Sequence, residues 1–250
     1  MQTYYDSLSV KIYDSREKMG AAAARDAAEC LKKLLGKQDA VNCIFAAAPS
    51  QKEFLDALTK EPGIDWSRVH GFHMDEYCGL PQGSEGTFSR FLLNAIFTRV
   101  PFGSVHLIDA EGDAGQECRR YARLLQEHPA DIVFMGIGEN GHVAFNDPPV
   151  ADFADRELVK KVELDEICRR QQVNDGCFPS IEKVPTHALT ITVPGLMTAA
   201  YQFCIVPGKR KAQAVKDTLT GPVKETCPAS ILRRQEGACL YLDKDSASLL

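Results

Sequence analysis

The sequence predicts a single α/β domain built on a mainly parallel sheet with helices on both faces, and three observations carry that prediction. Short apolar runs suited to buried strands alternate with longer segments of helical spacing along almost the whole chain. The 250 residues, 44% of them hydrophobic, suffice for one large core, and no long linker, internal repeat or low-complexity tract divides them. The run 132–148, IVFMGIGENGHVAFNDP, opens an apolar strand into a loop holding three glycines and several polar side chains. Ligands of open α/β sheets bind outside the carboxyl ends of strands, where glycines let the backbone turn sharply or approach a ligand closely.

In order along the chain, residues 15–35 combine alanine and leucine at helical spacing, with Ser15 as N-cap and Gly36 as stop. Residues 41–47 read as a buried parallel strand, and Pro49-Ser50-Gln51 leads into a second helix over 51–58. Ser50 therefore stands near a helix N-terminus, where it serves as a cap or helps to hold an anion. Residues 68–74 form the next strand and leave Asp75 and Glu76 at its end. Two adjacent acids there make a solvated turn or, if the pocket desolvates one, a general base.

An amphipathic helix over 87–97, a short strand over 105–108 and a helix over 113–126 lead back to the central strand. Beyond the glycine loop follow a strand over 158–164, a short helix over 166–172, a loop over 173–184, and strands over 187–193 and 201–206. Pro207-Gly208-Lys209-Arg210-Lys211 opens a helix reaching about residue 219. This basic cluster is either a solvated face or, at its strand-to-helix junction, the source of a phosphate clamp. A short helix from Pro228 and a strand over 238–242 complete the alternation, which favours right-handed crossovers.

Composition excludes several classes. A net charge of −5 gives no general attraction to nucleic acid or anionic lipid, though a local basic pocket is compatible with it. The N-terminus lacks a secretory pattern and no apolar run is long enough to span a membrane, so a soluble, cytoplasmic protein is expected. Nine scattered cysteines, odd in number and never spaced as CxxC, argue for reduced thiols and against a disulfide framework or zinc site.

Two stretches, FHMDEYCGL at 72–80 and GIGENGHVAFNDP at 136–148, resemble the MDEY and DGH-AFNEP signatures of the glucosamine-6-phosphate deaminase (isomerase) family, whose superfamily includes 6-phosphogluconolactonases. The similarity extends over nearly the whole chain. It implies a modified Rossmann-like fold and conversion of an amino-hexose 6-phosphate to a ketose 6-phosphate with release of ammonia, the work of a hydrolase acting on an amino-sugar phosphate, with no metal or organic cofactor. By motif, Asp75 would be the base that removes the C2 proton, His142 would assist ring opening at O5, and Asp147 would orient His142 or relay protons with it, with Asn140 at the same catalytic site. Ser50, Gln51, Glu76, Gly138, Gly141 and Lys211 would bind the phosphosugar. Homo-oligomerisation is implied by the resemblance alone.

The sequence departs from the family pattern in four places. Asn140 replaces an aspartate, and Asp147 replaces a glutamate, so a direct relay to His142 requires closer backbone or an intervening water. Ala47-Ala48-Pro49-Ser50-Gln51 replaces the family's P-T-G-G-T, shifting the anion site onto Ser50, backbone N–H groups and Lys211. The family's active-site arginine has no counterpart in register, Arg169 and Arg170 being the nearest. Two other functions share these residues: hydrolysis of a phosphosugar lactone with His142 as base, and non-catalytic binding of a sugar phosphate.

Overall fold

A computed structural model of the chain describes residues 2–81 and 83–250. Its central sheet holds eight strands in the order β1-β2-β11-β10-β7-β3-β4-β6. These are β1 (Gln2–Tyr5), β2 (Leu8–Tyr13), β3 (Val41–Phe45), β4 (Val69–His73), β6 (Ser104–His106), β7 (Ile132–Met135), β10 (Tyr201–Val206) and β11 (Ala238–Asp243). Every pairing is parallel except that of the β1–β2 hairpin. A second, antiparallel sheet joins β5 (Asp75–Tyr77), β9 (His187–Ile191) and β8 (Val159–Glu163). The helices are α1 (Arg16–Leu35), α2 (Lys52–Leu58), α3 (Phe88–Leu92), α4 (Ala114–Glu127), α5 (Glu166–Asn174), α6 (Val193–Met197) and α7 (Ala212–Thr220).

The apolar strand runs are continuous because the sheet is covered on both sides. Cys43 and Phe45 of β3, Phe134 of β7 and Ile205 of β10 share one core with Ala23, Ala27 and Leu31 of α1 and Phe54 of α2. Their alternate neighbours Ile44, Val133, Met135 and Cys204 join the opposite core with Tyr121 of α4 and Val215 and Leu219 of α7. From β3 the sheet grows through β4 to β6 on one side, and through β7, β10 and β11 on the other. The order therefore reverses between β3 and β7, where Cys43 pairs with Ile132 and Phe45 with Phe134, and a crevice opens beyond their carboxyl ends.

Ser15 caps α1 by accepting from Lys18 N at 3.3 Å, and Gly36 ends it, as the sequence predicts. Other expectations are corrected. The N-terminal hairpin was not foreseen, and strands β8 and β9 belong to the second sheet rather than to the parallel one. The strand expected over 68–74 stops at His73, after which the chain crosses over so that Asp75–Tyr77 pairs with β9. The helix expected over 87–97 is α-helical only to Leu92 and continues as a π-helical turn over Leu93–Phe97. No helix among the described residues is long and apolar enough to cross a membrane.

Candidate active site

The crevice between β3 and β7 is a cleft lined by the loop after β3 (Ala46, Ala47, Ala48, Ser50), the loop after β7 (Gly136, Gly138, His142, Ala144, Phe145), Asp75, and Lys211. Helix α5, with Gln171 and Gln172, and its C-cap Asp175 close it. Gln171 Oε1 accepts from Glu139 N at 2.8 Å, while Arg210 donates to Asn174 O at 3.1 Å and to Asp175 Oδ1 at 2.8 Å. Arg210, expected as part of a solvated face, thus ties this cover to the loop after β10.

Asp75 is brought in by the second sheet. Its residue is only 6% exposed, and burial, with the Glu76 charge beside it, pushes its carboxyl well above the ordinary value of 3.8. A carboxylate so desolvated is a stronger base than a surface aspartate. Strand alternation sends Glu76 the other way. Its Oε1 accepts from Tyr77 N at 2.9 Å and Phe88 N at 3.0 Å, and its Oε2 from Ser89 N at 2.8 Å. Glu76, expected among the substrate-binding residues, does not line the cleft: its carboxylate is spent largely on orphan N–H groups at the start of α3.

The loop after β7 builds the imidazole site. Gly141, at φ +85°, occupies a backbone region that favours glycine, and a Cβ there would lie 2.9 Å from Cys227 Sγ. At Gly138 a Cβ would lie 2.1–2.3 Å from three atoms of the His142 ring, so the imidazole rests directly on this glycine. Gly138 lines the cleft, whereas Gly141 shapes the turn behind it. Asn146 is fully buried and holds the following turn by donating to Val143 O and Ile191 O, both at 2.9 Å. That turn returns Asp147 beneath the ring.

His142 Nδ1 lies 2.8 Å from Asn140 Oδ1 and 2.9 Å from Asp147 Oδ1. Asn140 Nδ2 is committed to Asp147 Oδ1 at 3.0 Å and to Asp165 Oδ2 at 3.1 Å, so its oxygen is the atom facing the imidazole. Both neighbours of Nδ1 are acceptors, which assigns the Nδ1–H tautomer to neutral His142 and leaves Nε2 available for a ligand. Burial alone would raise the Asp147 pKa, but His142, Asn140 and the Asp165 backbone N–H outweigh it and hold this carboxyl below its ordinary value.

Lys211 supplies the cleft's buried cation. It is 8% exposed, and its ammonium makes no hydrogen bond or ion pair with any described residue. Burial lowers its pKa, opposed by the charges of Asp175 and Glu139. An unpaired buried ammonium is costly, and an anionic ligand relieves that cost. Ser50 lines the same cleft. Gln51 stands behind Ser50 and does not line it; its amide donates to Ser50 Oγ at 3.2 Å and Ile205 O at 3.1 Å. Expected to contact substrate, Gln51 here supports the loop that carries Ser50.

This constellation agrees with a comparison against protein families: the profile described as glucosamine-6-phosphate isomerases/6-phosphogluconolactonase matches residues 14–241. The chain belongs to this family. A glucosamine-6-phosphate deaminase of Listeria welshimeri is 35% identical over 230 residues, covering 92% of this chain and 96% of the relative. One from Bacillus cereus is 35% identical over 187 residues, covering 74% and 70%. Among solved structures, a monomeric glucosamine-6-phosphate deaminase superposes with a TM-score of 0.87 at 27% identity, covering 96% of this chain and 99% of that one. A 6-phosphogluconolactonase of Thermotoga maritima, with a TM-score of 0.78 at 21% identity over 95% of this chain and 100% of its own, shares the fold.

Against the glucosamine-6-phosphate isomerase family pattern, the shorter Asp147 needs no bridging water, because its Oδ1 reaches Nδ1 directly. Neither candidate arginine enters the cleft. Arg169 donates to Ile181 O at 2.7 Å and Val184 O at 2.9 Å, and Arg170 pairs with Glu166 on the surface. Sequence reasoning missed Gln171, Gln172 and Asp175, which stand in or just after a short helix of ordinary polar pattern. It also missed Ala144, whose φ of +50° is unusual for a non-glycine residue.

Proposed function

We propose that this chain converts glucosamine 6-phosphate, or a close epimer, into the ketose 6-phosphate and ammonia. The observation that carries this reading is the placement in one cleft of a buried carboxylate, Asp75, and an imidazole, His142, whose Nδ1 is engaged by Asp147 and Asn140. The names of the relatives point to the same substrate.

Lys211 and Ser50 hold the phosphate, aided by N–H groups at the start of the helical segment after Ser50. Neutral His142 takes the O1 proton at Nε2 and delivers a proton to O5, so that the C1–O5 bond breaks and the aldehyde forms. The engaged Nδ1–H steadies the imidazolium formed between the two transfers. Ionised Asp75 then removes the C2 proton, the electron pair moves through C1 to the carbonyl oxygen, and that oxygen takes a proton from solvent, giving an enolamine. Return of that proton to C1 leaves an imine at C2, which water hydrolyses to the ketone and ammonia. Proton transfers of this kind typically contribute about 10²- to 10⁴-fold each.

The test is ammonia release and ketose 6-phosphate formation by the purified protein, with glucosamine 6-phosphate and galactosamine 6-phosphate in separate reactions. Both products from either sugar support the proposal. Failure with both, accompanied by accelerated acid release from 6-phosphogluconolactone, overturns it in favour of lactone hydrolysis. Binding of the sugars without turnover overturns it in favour of a sensor.

A further inference from the structure

Beside His142 lies a group of side chains that the proposed reaction does not fully use. Cys168 comes from α5, and its residue is 1% exposed. One ring nitrogen of His142, one carboxylate oxygen of Asp147 and Cys168 Sγ all lie within 4.8 Å of one another. Asp147 is fully buried, and its Oδ2 receives no well-formed hydrogen bond. The Cys168 thiol and the Asp165 backbone N–H interact with this carboxylate but leave its Oδ2 short of a full partner, which a cation can supply.

We propose that His142, Asp147 and Cys168 form an inhibitory site for a thiophilic divalent cation of the Zn²⁺ class. Imidazole, carboxylate and thiolate are the donors that zinc takes, while the sulfur disfavours magnesium and calcium. Donors about 2.0–2.3 Å from a tetrahedral zinc ion sit roughly 3.3–3.7 Å from one another. The Nδ1–Oδ1 pair, now at 2.9 Å, must therefore open slightly, and Sγ, within 4.8 Å of both, needs to move inward by at most about 1.5 Å.

Charge also balances. The thiolate and carboxylate offset the dication, so the buried site becomes neutral, whereas without metal it holds the Asp147 charge. Binding displaces the Cys168 thiol proton to solvent, while the His142 ring proton passes from Nδ1 to Nε2 and leaves Nδ1 free to ligate. The metal thereby takes the ring nitrogen whose hydrogen bonds orient His142 for catalysis. It also joins α5 to the loop after β7, fixing the cover over the cleft.

The binding part stands alone; the inhibitory part rests on the catalytic role proposed for His142. The experiment titrates reduced, metal-free protein with Co²⁺ as a spectroscopic probe, with Zn²⁺ in competition and Mg²⁺ as comparison. One cobalt per chain should bind with a thiolate-to-metal charge-transfer band, and Zn²⁺ but not Mg²⁺ should displace it. Cys168→Ser should abolish the band and weaken Zn²⁺ binding by roughly 10- to 100-fold or more, since even outer-shell partners are worth that much. Cys30→Ser, remote on α1, should leave both unchanged. If Cys168→Ser does not fold, Cys168→Ala and His142→Gln carry the same comparison. No cobalt band, or a band that survives loss of Cys168 or His142, overturns the site. Binding at this site while ammonia release continues at full rate overturns the inhibition alone, and absence of turnover before metal is added counts against the deaminase reading instead.

Discussion

The contact between Gly138 and His142 gives the most direct test of how the loop after β7 works. In Gly138→Ala the added methyl would stand 2.1 Å from the nearest ring atom, whereas ordinary contact begins at 3.4 Å, so the ring must retreat by about 1.3 Å. The loop has little room to give, because Gly138 N donates to His142 O at 2.9 Å and Gly141 N to Gly138 O at 3.1 Å. A retreat of that size takes the 2.8 and 2.9 Å contacts at Nδ1 beyond hydrogen-bond length. The single Nδ1–H is shared between a neutral amide oxygen and a charged carboxylate, so its loss costs roughly 1.5–3 kcal/mol of stability. The loss of a correctly placed acid–base group lowers kcat/KM by about 10²- to 10⁴-fold. Ammonia release and thermal melts measure the two effects, and calorimetric titration with sugar phosphate should show binding largely retained, since Lys211 and Ser50 are untouched. A Gly138→Ala protein with parental turnover and parental Tm would refute the seating of the imidazole on Gly138 and its role in catalysis.

Asp75→Asn should abolish turnover and raise Tm at neutral pH. Because burial raises the folded-state pKa of Asp75, its favourable contribution is full below the ordinary value of 3.8 and is lost as pH rises through the higher folded value. The Tm gain of the asparagine variant should therefore shrink toward zero in acid, and a gain independent of pH would contradict the linkage. Lys211→Met should weaken phosphosugar binding by roughly 10- to 150-fold, the worth of a charge-assisted hydrogen bond, without lowering Tm; an unchanged KM would remove Lys211 from the anion site. Glu76→Gln keeps an acceptor for Tyr77 and Phe88 but turns an N–H toward Ser89 N, at a cost of about 1.5–3 kcal/mol in melts. Its KM should not change, and a shift in KM with a constant Tm would return Glu76 to substrate binding.

Strands β3, β7 and β10 were legible in the sequence because burial on both faces writes a continuous apolar run. The second sheet was not. Its strands β8 and β9 are readable as strands, but β5 has three residues, too few for a period to show, and no local pattern assigns β8 and β9 to a separate antiparallel sheet. The same limit hid the work of Glu76: its partners are backbone N–H groups one, twelve and thirteen residues away, and backbone donors carry no sequence signature. The glycine loop could be read because it packs its chemistry into one local segment. The contribution of α5 could not, since only folding brings Gln171 against Glu139 and Asp175 against Arg210.

The two loop departures, Asn140 and Asp147, make sense as a pair. Asn140 sits between the carboxylates of Asp147 and Asp165, donating one hydrogen bond to each at 3.0 and 3.1 Å, while its oxygen serves His142 N at 3.1 Å and faces Nδ1 at 2.8 Å. A carboxylate at position 140 would place a third acid among acceptors with no proton to offer, so an amide is the group that satisfies both sides of this position. With the amide there, one ionised carboxylate remains against the imidazole, and it is in direct contact: Asp147 Oδ1 lies 2.9 Å from Nδ1 and is held below its ordinary pKa. The charge removed at 140 is thus offset by proximity at 147. The imidazole keeps an anionic partner for its protonated form, while the second carboxylate, Asp165, is relegated to anchoring the amide.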